Sequence, residues 1–225
     1  MRTIGLLGGL TWHATVRYYT RINEKTAEIF GPGRSAQLLI RSVDWGDVQQ
    51  AMADGSYKRL AKTLLAACRD LERGGAEVVV ICSNTIHALV SQLAPRIGIP
   101  ILHIADCLAK EAHARGHQRL LLLGTRHTMT AAFFRERLER HGLIIVGPRD
   151  PGAIDKVITE ELTLGQIRPA SRDLLVSAIE QHDVDAAVLG CTELGLLLSQ
   201  EHTDVPLLDT ALIHAEAALL WSLER

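Results

Sequence analysis

Two segments of the sequence combine small polar side chains with residues that can move protons. The first is Cys82-Ser83-Asn84-Thr85-Ile86-His87 and the second is Cys191-Thr192-Glu193, and each follows an apolar run. A cysteine at a helix start has a lowered thiol pKa because the helix dipole favours the thiolate, and Glu193 could accept or relay a proton. An alternative is that Ser83, Asn84 or Thr192 only caps a first helical turn.

Two further turns and one cation could bind a small ligand. Gly8-Gly9-Leu10-Thr11 lacks the GxGxxG spacing, which disfavours a nicotinamide site, and Thr11 is predicted to cap the helix that follows. Gly124-Thr125 offers a hydroxyl at a helix start, where it could bind a ligand or only cap the helix. Arg41 ends an apolar strand, where its guanidinium could bind a carboxylate at two points or form an ion pair with Asp44. His87 is predicted to lie on a helix surface, and His214 could border a site or only cap a helix.

The elements that must position these turns alternate between strand-like and helix-like patterns, which predicts a parallel α/β fold. Residues 129–141, for example, form one predicted helix. A TIM barrel would need a longer chain, and the polar turns recur in both halves of the sequence. We therefore expect two pseudo-symmetric lobes, each a mainly parallel sheet flanked by helices, with residues 1–104 plus 208–225 in one and 105–207 in the other.

Composition excludes several functional classes. The chain has 225 residues, 47% of them hydrophobic, and a net charge of -2, which disfavours a nucleic-acid partner. No apolar run is long enough to span a membrane, and the opening lacks a signal-peptide pattern. The four cysteines form no CxxC pair, so we expect no disulfide framework or structural zinc site and a cytoplasmic location. No lysine has the context of a Schiff base, so pyridoxal phosphate is not indicated.

With these residues assembled, the chain resembles the aspartate/glutamate racemase family of cofactor-independent amino-acid racemases along nearly its whole length. The resemblance rests on six motifs in the expected order, which are Gly5 to Trp12 with Tyr18-Tyr19 and Ile22-Asn23, Ser42-Val43-Asp44, Ser83-Asn84-Thr85-Ile86-His87, Gly124-Thr125, Gly190-Cys191-Thr192-Glu193, and Asp209-Thr210 with Ile213-His214.

The resemblance implies an active site between the two lobes, a homodimer, a small-molecule amino-acid substrate, and no metal or organic cofactor. It also implies two cysteines facing the substrate's α-carbon from opposite sides. One thiolate removes the α-proton and the opposite thiol returns a proton to the other face. Backbone amides and hydroxyls at the strand ends hold the carboxylates and stabilise the carbanion.

The sequence departs from the family pattern at the first cysteine, where it has Ser83. Cys82 lies one residue earlier, and on a strand that offset points its side chain to the opposite face, so the role does not pass to Cys82. Ser83 could act as a proton donor or weak base, as hydroxyl residues do in some relatives, or the enzyme could racemise very slowly. Leu164 is a second departure, because relatives often have a lysine in that helix, which leaves Arg41 for the side-chain carboxylate.

These residues predict a racemase of an acidic amino acid with Ser83 and Cys191 as the catalytic pair. The residues expected to bind the substrate are Thr11, Arg41, Asn84, Thr85, Thr125, Thr192 and Glu193. Glu193 is also expected to tune Cys191. Two alternatives stay open, namely a single-cysteine decarboxylase or isomerase of a small diacid, and a catalytically weak homologue that only binds carboxylates.

Overall fold

The computed structural model describes residues 1–224 and contains two compact units. Unit 1 comprises Met1–His103 together with the segment from His214 onward, and unit 2 comprises Ile104–Ile213. Each unit contains one four-stranded sheet in which every strand pairing is parallel. The fold is therefore the α/β fold, built from two parallel sheets flanked by helices, that the alternating pattern predicts.

The sheet of unit 1 has the strand order β2-β1-β3-β4. Its strands are β1 (Ile4–Gly8), β2 (Leu38–Ser42), β3 (Val78–Ile81) and β4 (Ile101–Leu102). The central strand β3, Val-Val-Val-Ile, is buried at all four positions. This is the pattern expected of a parallel strand covered by helices on both faces.

Helices cover both faces of this sheet. They are α1 (Trp12–Phe30), α2 (Trp45–Ala53), α3 (Tyr57–Arg73) and α4 (Val90–Leu93). Apolar residues at helical spacing form a stripe along α3, and this stripe is buried, with Leu64 and Cys68 fully inaccessible to solvent. The sequence pattern does not predict α2, because only Val48 and Ala51 of its residues are buried.

The sheet of unit 2 has the strand order β6-β5-β7-β8. Its strands are β5 (Arg119–Leu123), β6 (Ile144–Val146), β7 (Ala186–Leu189) and β8 (Leu207–Asp209). Its helices are α5 (Ile104–Ala114), α6 (Arg126–Thr130), α7 (Ala132–Arg140), α8 (Pro151–Glu160), α9 (Pro169–Glu180) and α10 (Leu194–Leu197), and α11 (Thr210–Leu223) continues from unit 2 into unit 1. In both units the second strand in sequence lies at one edge, followed by the first, third and fourth.

The prediction of a single helix over 129–141 is wrong. Helix α6 begins earlier, because Thr125 caps it, and Ala131 separates it from α7 with extended backbone at φ −77° and ψ 141°. Thr125 therefore caps the short helix α6, whose first N–H, that of Arg126, donates to the Asp155 carboxylate of α8 at 2.7 Å. Among residues 1–224 the structure has no helix that is both long and apolar enough to cross a membrane.

Parallel pairing brings the turns that follow neighbouring strands to one edge of each sheet. In unit 1, β1 lies between β2 and β3, so Gly9, Val43 and Cys82 follow three adjacent strands. Gly9 has φ +80°, and a Cβ atom there would lie 2.0 Å from the Val43 carbonyl oxygen. Only glycine allows this close approach of the two backbones. In unit 2, the Gly190 N–H donates to the Leu123 carbonyl at 2.6 Å and joins the turns after β5 and β7.

Candidate active site

Thr11 holds the turn that follows β1 in unit 1. Its hydroxyl accepts a hydrogen bond from the Ala14 N–H at 3.4 Å and caps α1, as predicted. Thr15 braces the same turn, because its hydroxyl accepts from the Gly9 N–H at 2.9 Å and donates to the Thr11 carbonyl at 3.3 Å. The sequence reasoning missed Thr15, although its position four residues after Thr11 places it one helical turn further along α1.

Ser83 and Asn84 form the turn that follows β3. The Cys82 N–H still bonds to the Leu7 carbonyl of β1 at 3.0 Å, whereas the Ser83 N–H bonds back to the Ile81 carbonyl at the end of β3 at 2.8 Å. The chain then enters a 3₁₀ turn, Thr85–Leu89, with Asn84 at its N-cap position but no capping bond from the Asn84 side chain. Ser83 and Asn84 are both buried, and Thr85 is half-buried.

Cys82 packs as a buried apolar residue. It is fully inaccessible to solvent, and its thiol lies 3.9 Å from the Val80 carbonyl oxygen of the preceding strand, β3. Burial raises the pKa of the Cys82 thiol far above its ordinary value because the thiolate would lose its solvation. This thiol therefore stays protonated near neutral pH, and the Val80 carbonyl oxygen beside it, unlike a carboxylate, cannot take up its proton.

Two histidines of the sequence motifs lie in the interior of unit 1. His87 is not on a helix surface, as the sequence analysis predicted, but is 2% exposed, because the 3₁₀ turn directs it inward. Its Nδ1 donates a hydrogen bond to the Ser83 carbonyl at 2.7 Å. His214, in α11, is also fully buried and is hydrogen-bonded to Tyr18 and to the Leu102 carbonyl. The sequence contains no signal for the burial of His214, since its contacts join residues far apart in the chain.

Cys191, Thr192 and Glu193 form a buried polar cluster at the end of β7 in unit 2. The Cys191 thiol donates a hydrogen bond to Oε2 of Glu193 at 3.0 Å. The Thr192 hydroxyl donates to the same oxygen at 2.7 Å. All three residues are less than a tenth exposed. The arrangement places a carboxylate where it can receive the thiol proton.

The expected lowering of the Cys191 pKa is wrong, and the structure raises this pKa well above its ordinary value. Burial is the largest cause, followed by the negative charge of Glu193 and its hydrogen bond to the thiol. The backbone N–H groups of Glu193 and Leu194 favour the thiolate but are outweighed. The helix that follows is also only the four residues Leu194–Leu197, so little helix dipole acts on the sulfur.

Thr125 holds the neighbouring turn of unit 2, after β5. Its hydroxyl accepts from the Thr128 N–H at 3.3 Å and shares a 3.1 Å hydrogen bond with the Thr128 hydroxyl. Thr125 is half-buried, and Thr128 is fully buried. Thr125 therefore caps α6, as the sequence analysis considered. The turn that carries Thr125 lies beside the Cys191 turn because β5 and β7 are paired.

Arg41 forms an ion pair on the helix-covered side of β2. Its Nε donates to Asp70 of α3 at 3.0 Å, and its Nη1 donates to the Ser42 carbonyl at 2.5 Å. The hydrogen bond from Arg41 holds the pKa of the Asp70 carboxyl below its usual value. The partner is not Asp44, whose side chain instead caps α2. The Arg41 side chain is 47% exposed, and these two bonds use two of its five N–H donors.

The structure groups the predicted residues by unit. At the carboxyl edge of the unit 1 sheet lie the turns that carry Thr11, Ser83, Asn84 and Thr85, with Arg41 in the neighbouring strand β2. The corresponding edge of the unit 2 sheet carries Thr125 and the Cys191 cluster. Within residues 1–224, no three or more His, Cys, Asp and Glu side chains are arranged to hold a metal ion.

A comparison with known proteins finds a family model, described as Asp/Glu/Hydantoin racemase, that matches residues 7–218. A crystal structure of a Yersinia pestis protein assigned to the Asp/Glu racemases superposes with a TM-score of 0.91 at 38% identity, over 100% of both chains. An aspartate racemase homologue from Pyrococcus horikoshii OT3 gives a TM-score of 0.88 at 32% identity, again over 100% of both chains.

A curated relative, a broad specificity amino-acid racemase of Bacillus subtilis (strain 168), is 21% identical over 96% of both chains.

Proposed function

The chain belongs to the Asp/Glu/hydantoin racemase family, and on this premise we propose that it racemises an acidic amino acid, aspartate or glutamate, without a cofactor. In the proposed reaction Ser83 and Cys191 exchange protons with opposite faces of the substrate's α-carbon. The observation that supports this most directly is the buried Cys191 thiol, hydrogen-bonded at 3.0 Å to the Glu193 carboxylate. Two buried polar turns at the ends of corresponding strands, β3 and β7, support the pairing with Ser83.

In the proposed mechanism Cys191 rests as the thiol, because burial and Glu193 both disfavour the thiolate. Glu193 accepts the thiol proton, and the resulting thiolate removes the α-proton of one enantiomer. Thr192 donates to the same carboxylate oxygen and keeps it in reach of the sulfur. A buried thiolate is a stronger base than an exposed one, which suits the weakly acidic α-proton.

Ser83 completes the reaction in this proposal. Its hydroxyl donates a proton to the opposite face of the carbanion, which forms the other enantiomer and leaves an alkoxide. The alkoxide regains a proton from solvent and Glu193 releases its proton to solvent, which restores the resting state of both groups. A serine hydroxyl is a much weaker acid than a thiol, so this half-reaction is the slower one. The reverse direction runs through the same groups, with Ser83 as the base.

We propose that the substrate carboxylates are bound by hydroxyl, amide and guanidinium groups of both sheet edges. The proposed carboxylate contacts are Thr11, Arg41, Asn84, Thr85, Thr125 and Thr192, and Glu193 is proposed to contact the substrate beside Cys191. A homodimer and a cytoplasmic setting belong to the same proposal. The negative charge that develops on the α-carboxylate would be stabilised by N–H and O–H donors held in place before the reaction.

Deuterium exchange tests the proposed function. Each enantiomer of aspartate and glutamate, with alanine and other neutral amino acids for comparison, is incubated with the protein in D₂O. We expect α-deuterium by NMR and loss of optical activity for an acidic substrate. Cys191→Ala should abolish both signals, whereas Cys107→Ala, which removes a buried thiol elsewhere in unit 2, should keep them. If no acidic amino acid exchanges its α-proton, the proposal fails.

A second candidate follows from the presence of only one thiol in the proposed pair. A single cysteine could protonate the carbanion left by decarboxylation of a small diacid, or add to a double bond and allow isomerisation. Assays of malonates for carbon dioxide release and of maleate for isomer formation separate this reaction from racemisation. Thermal stabilisation by a dicarboxylate without any turnover would instead indicate a homologue that only binds carboxylates.

A further inference from the structure

Four ring side chains are packed together in the interior of unit 1. Tyr18 and His214 are fully buried, and His87 and His103 are 2% and 6% exposed. The His87 ring lies 4.8 Å from the His103 ring and 5.6 Å from the His214 ring, between centroids and with edge-to-face geometry. None of these side chains is used as an acid or base in the proposed reaction, so the cluster needs a separate explanation.

The hydrogen bonds of His214 define its protonation. A backbone carbonyl can only accept, so His214 Nε2, at 3.0 Å from the Leu102 carbonyl oxygen, carries a proton and donates it. In the neutral ring Nδ1 then accepts from the Tyr18 hydroxyl at 2.9 Å. Burial and the neighbouring His87 lower the pKa of His214, which favours this neutral form. Tyr18 and Leu102 thereby fix the ring against which His87 packs.

His87 is bonded to the backbone of Ser83 at the point where the helical pattern tightens. In an α-helical turn the Ser83 carbonyl would accept from the His87 N–H, four residues later. That N–H instead bonds to the Asn84 carbonyl at 3.1 Å, in the 3₁₀ pattern. The Ser83 carbonyl accepts from His87 Nδ1 at 2.7 Å. The imidazole therefore supplies the hydrogen bond that the tighter turn withdraws from a buried carbonyl.

We infer that His87 is a positioning residue for Ser83, held in place by His103 and by the Tyr18–His214 pair. The inference rests on the proposed function, in that it assigns Ser83 the proton transfer at one face of the substrate. His87 acts only through the Ser83 backbone. Its imidazole fixes the carbonyl, and the fixed carbonyl sets the direction from which the Ser83 hydroxyl approaches the α-carbon.

Three variants separate this role from general packing. His87→Phe keeps a ring of similar size but removes the donor. His87→Asn restores an N–H donor near the position of Nδ1 without the ring. His182→Phe is the matched control. His182 Nδ1 also donates to a carbonyl four residues earlier, that of Ala178 at 2.8 Å, but this carbonyl lies in α9 of unit 2 and not in the Ser83 turn.

The first readout does not depend on catalysis. Amide hydrogen exchange of residues 83–87 should quicken at least tenfold in His87→Phe and return to within threefold of the native rate in His87→Asn. His182→Phe should leave that segment unchanged. Equal protection of the segment in native protein and His87→Phe would overturn the inference, whatever reaction the protein catalyses. If His87→Phe fails to fold, His87→Asn alone tests the inference. Faster exchange of residues 83–87 in His87→Asn would show that an N–H donor at this position does not protect the segment, which would overturn the inference.

The second readout separates the two faces of the substrate. For the enantiomer whose α-proton faces Cys191, deuterium can enter without inversion when the Ser83 step fails. We expect His87→Phe to lower racemisation at least tenfold while deuterium entry into that enantiomer falls less than threefold, and His87→Asn to recover racemisation. Equal losses in both signals would overturn the inference. If native protein exchanges no α-proton, the proposed function fails and the amide exchange alone decides the role of His87.

Discussion

The thiol of Cys191 and the carboxylate of Glu193 share a hydrogen bond of 3.0 Å inside unit 2, where both residues are buried. The carboxylate opposes ionisation of the thiol through its charge, yet it is also the group that can receive the thiol proton. The pair therefore keeps the sulfur protonated at rest. It also places a base next to it for the moment when the substrate requires the thiolate.

Glu193→Gln should lower the pKa of the Cys191 thiol, because the substitution removes the negative charge that raises it. Turnover should fall as well, since the amide cannot accept the thiol proton. The pH dependence of iodoacetamide alkylation at Cys191, followed by mass spectrometry, measures the thiol pKa. Burial raises the pKa of Cys68 to about 11 and that of Cys107 to about 12, so these thiols react little near neutrality. An unchanged or higher Cys191 pKa would contradict this account.

Ser83→Cys should increase the rate of racemisation by about tenfold or more, because general acid-base groups contribute about 10²–10⁴-fold and a thiol is the stronger acid. Ser83→Ala should lower the rate, and both are measured by polarimetry with the acidic substrate. Cys82→Ser serves as the control, since the Cys82 thiol is buried directly after β3 and should not support proton transfer. If Ser83→Cys leaves the rate unchanged, the missing second thiol does not limit the reaction.

Arg41→Gln should raise the KM for an acidic amino acid by about tenfold while kcat stays within about threefold, because a charge-assisted hydrogen bond to a carboxylate contributes about 1.5–3 kcal/mol. The KM for a neutral amino acid should not change. Arg73→Gln is the matched control, since Arg73 binds the same carboxylate, Asp70, at 2.5 Å. Similar KM changes for acidic and neutral substrates would mean that Arg41 only forms its ion pair with Asp70 and does not bind the side-chain carboxylate of the substrate.

The buried His214 should make the protein less stable as the pH falls from 7 to 5. Its pKa is lowered in the folded state, so the unfolded chain binds the proton more readily below its ordinary pKa of about 6.5. The titratable groups that face the His214 ring are Tyr18 of α1, His87 of the 3₁₀ turn and His103 after β4. The titration of His214 alone lowers the free energy of unfolding by at most about 1.4 kcal/mol for each pH unit below this ordinary pKa.

Urea unfolding at several pH values measures this slope. His214→Gln should flatten it, because the amide cannot titrate in this range, whereas His127→Gln, which replaces an exposed histidine of unit 2, should keep it. A slope that is equally steep in native protein and His214→Gln would assign the acid sensitivity to other groups.

Most of the fold could be predicted from local patterns. Apolar runs such as Val78–Ile81 predict buried parallel strands, and the stripe of α3 predicts its buried face, because both depend on residues close in sequence. The capping roles of Thr11 and Thr125 are local in the same way. The break at Ala131 was missed because helical periodicity continues across it.

The sequence by itself determined which residue types follow the strands, including a serine before Asn84-Thr85 and a cysteine before Thr192-Glu193. Only the tertiary structure decided their environment. Burial reversed the expected shift of the Cys191 pKa, because desolvation depends on neighbours from distant parts of the chain. The same holds for His87 and His214, which the sequence separates widely. The packing of the 3₁₀ turn against α11 brings them into one buried cluster, where bonds to backbone carbonyls place a proton on Nδ1 of His87 and on Nε2 of His214.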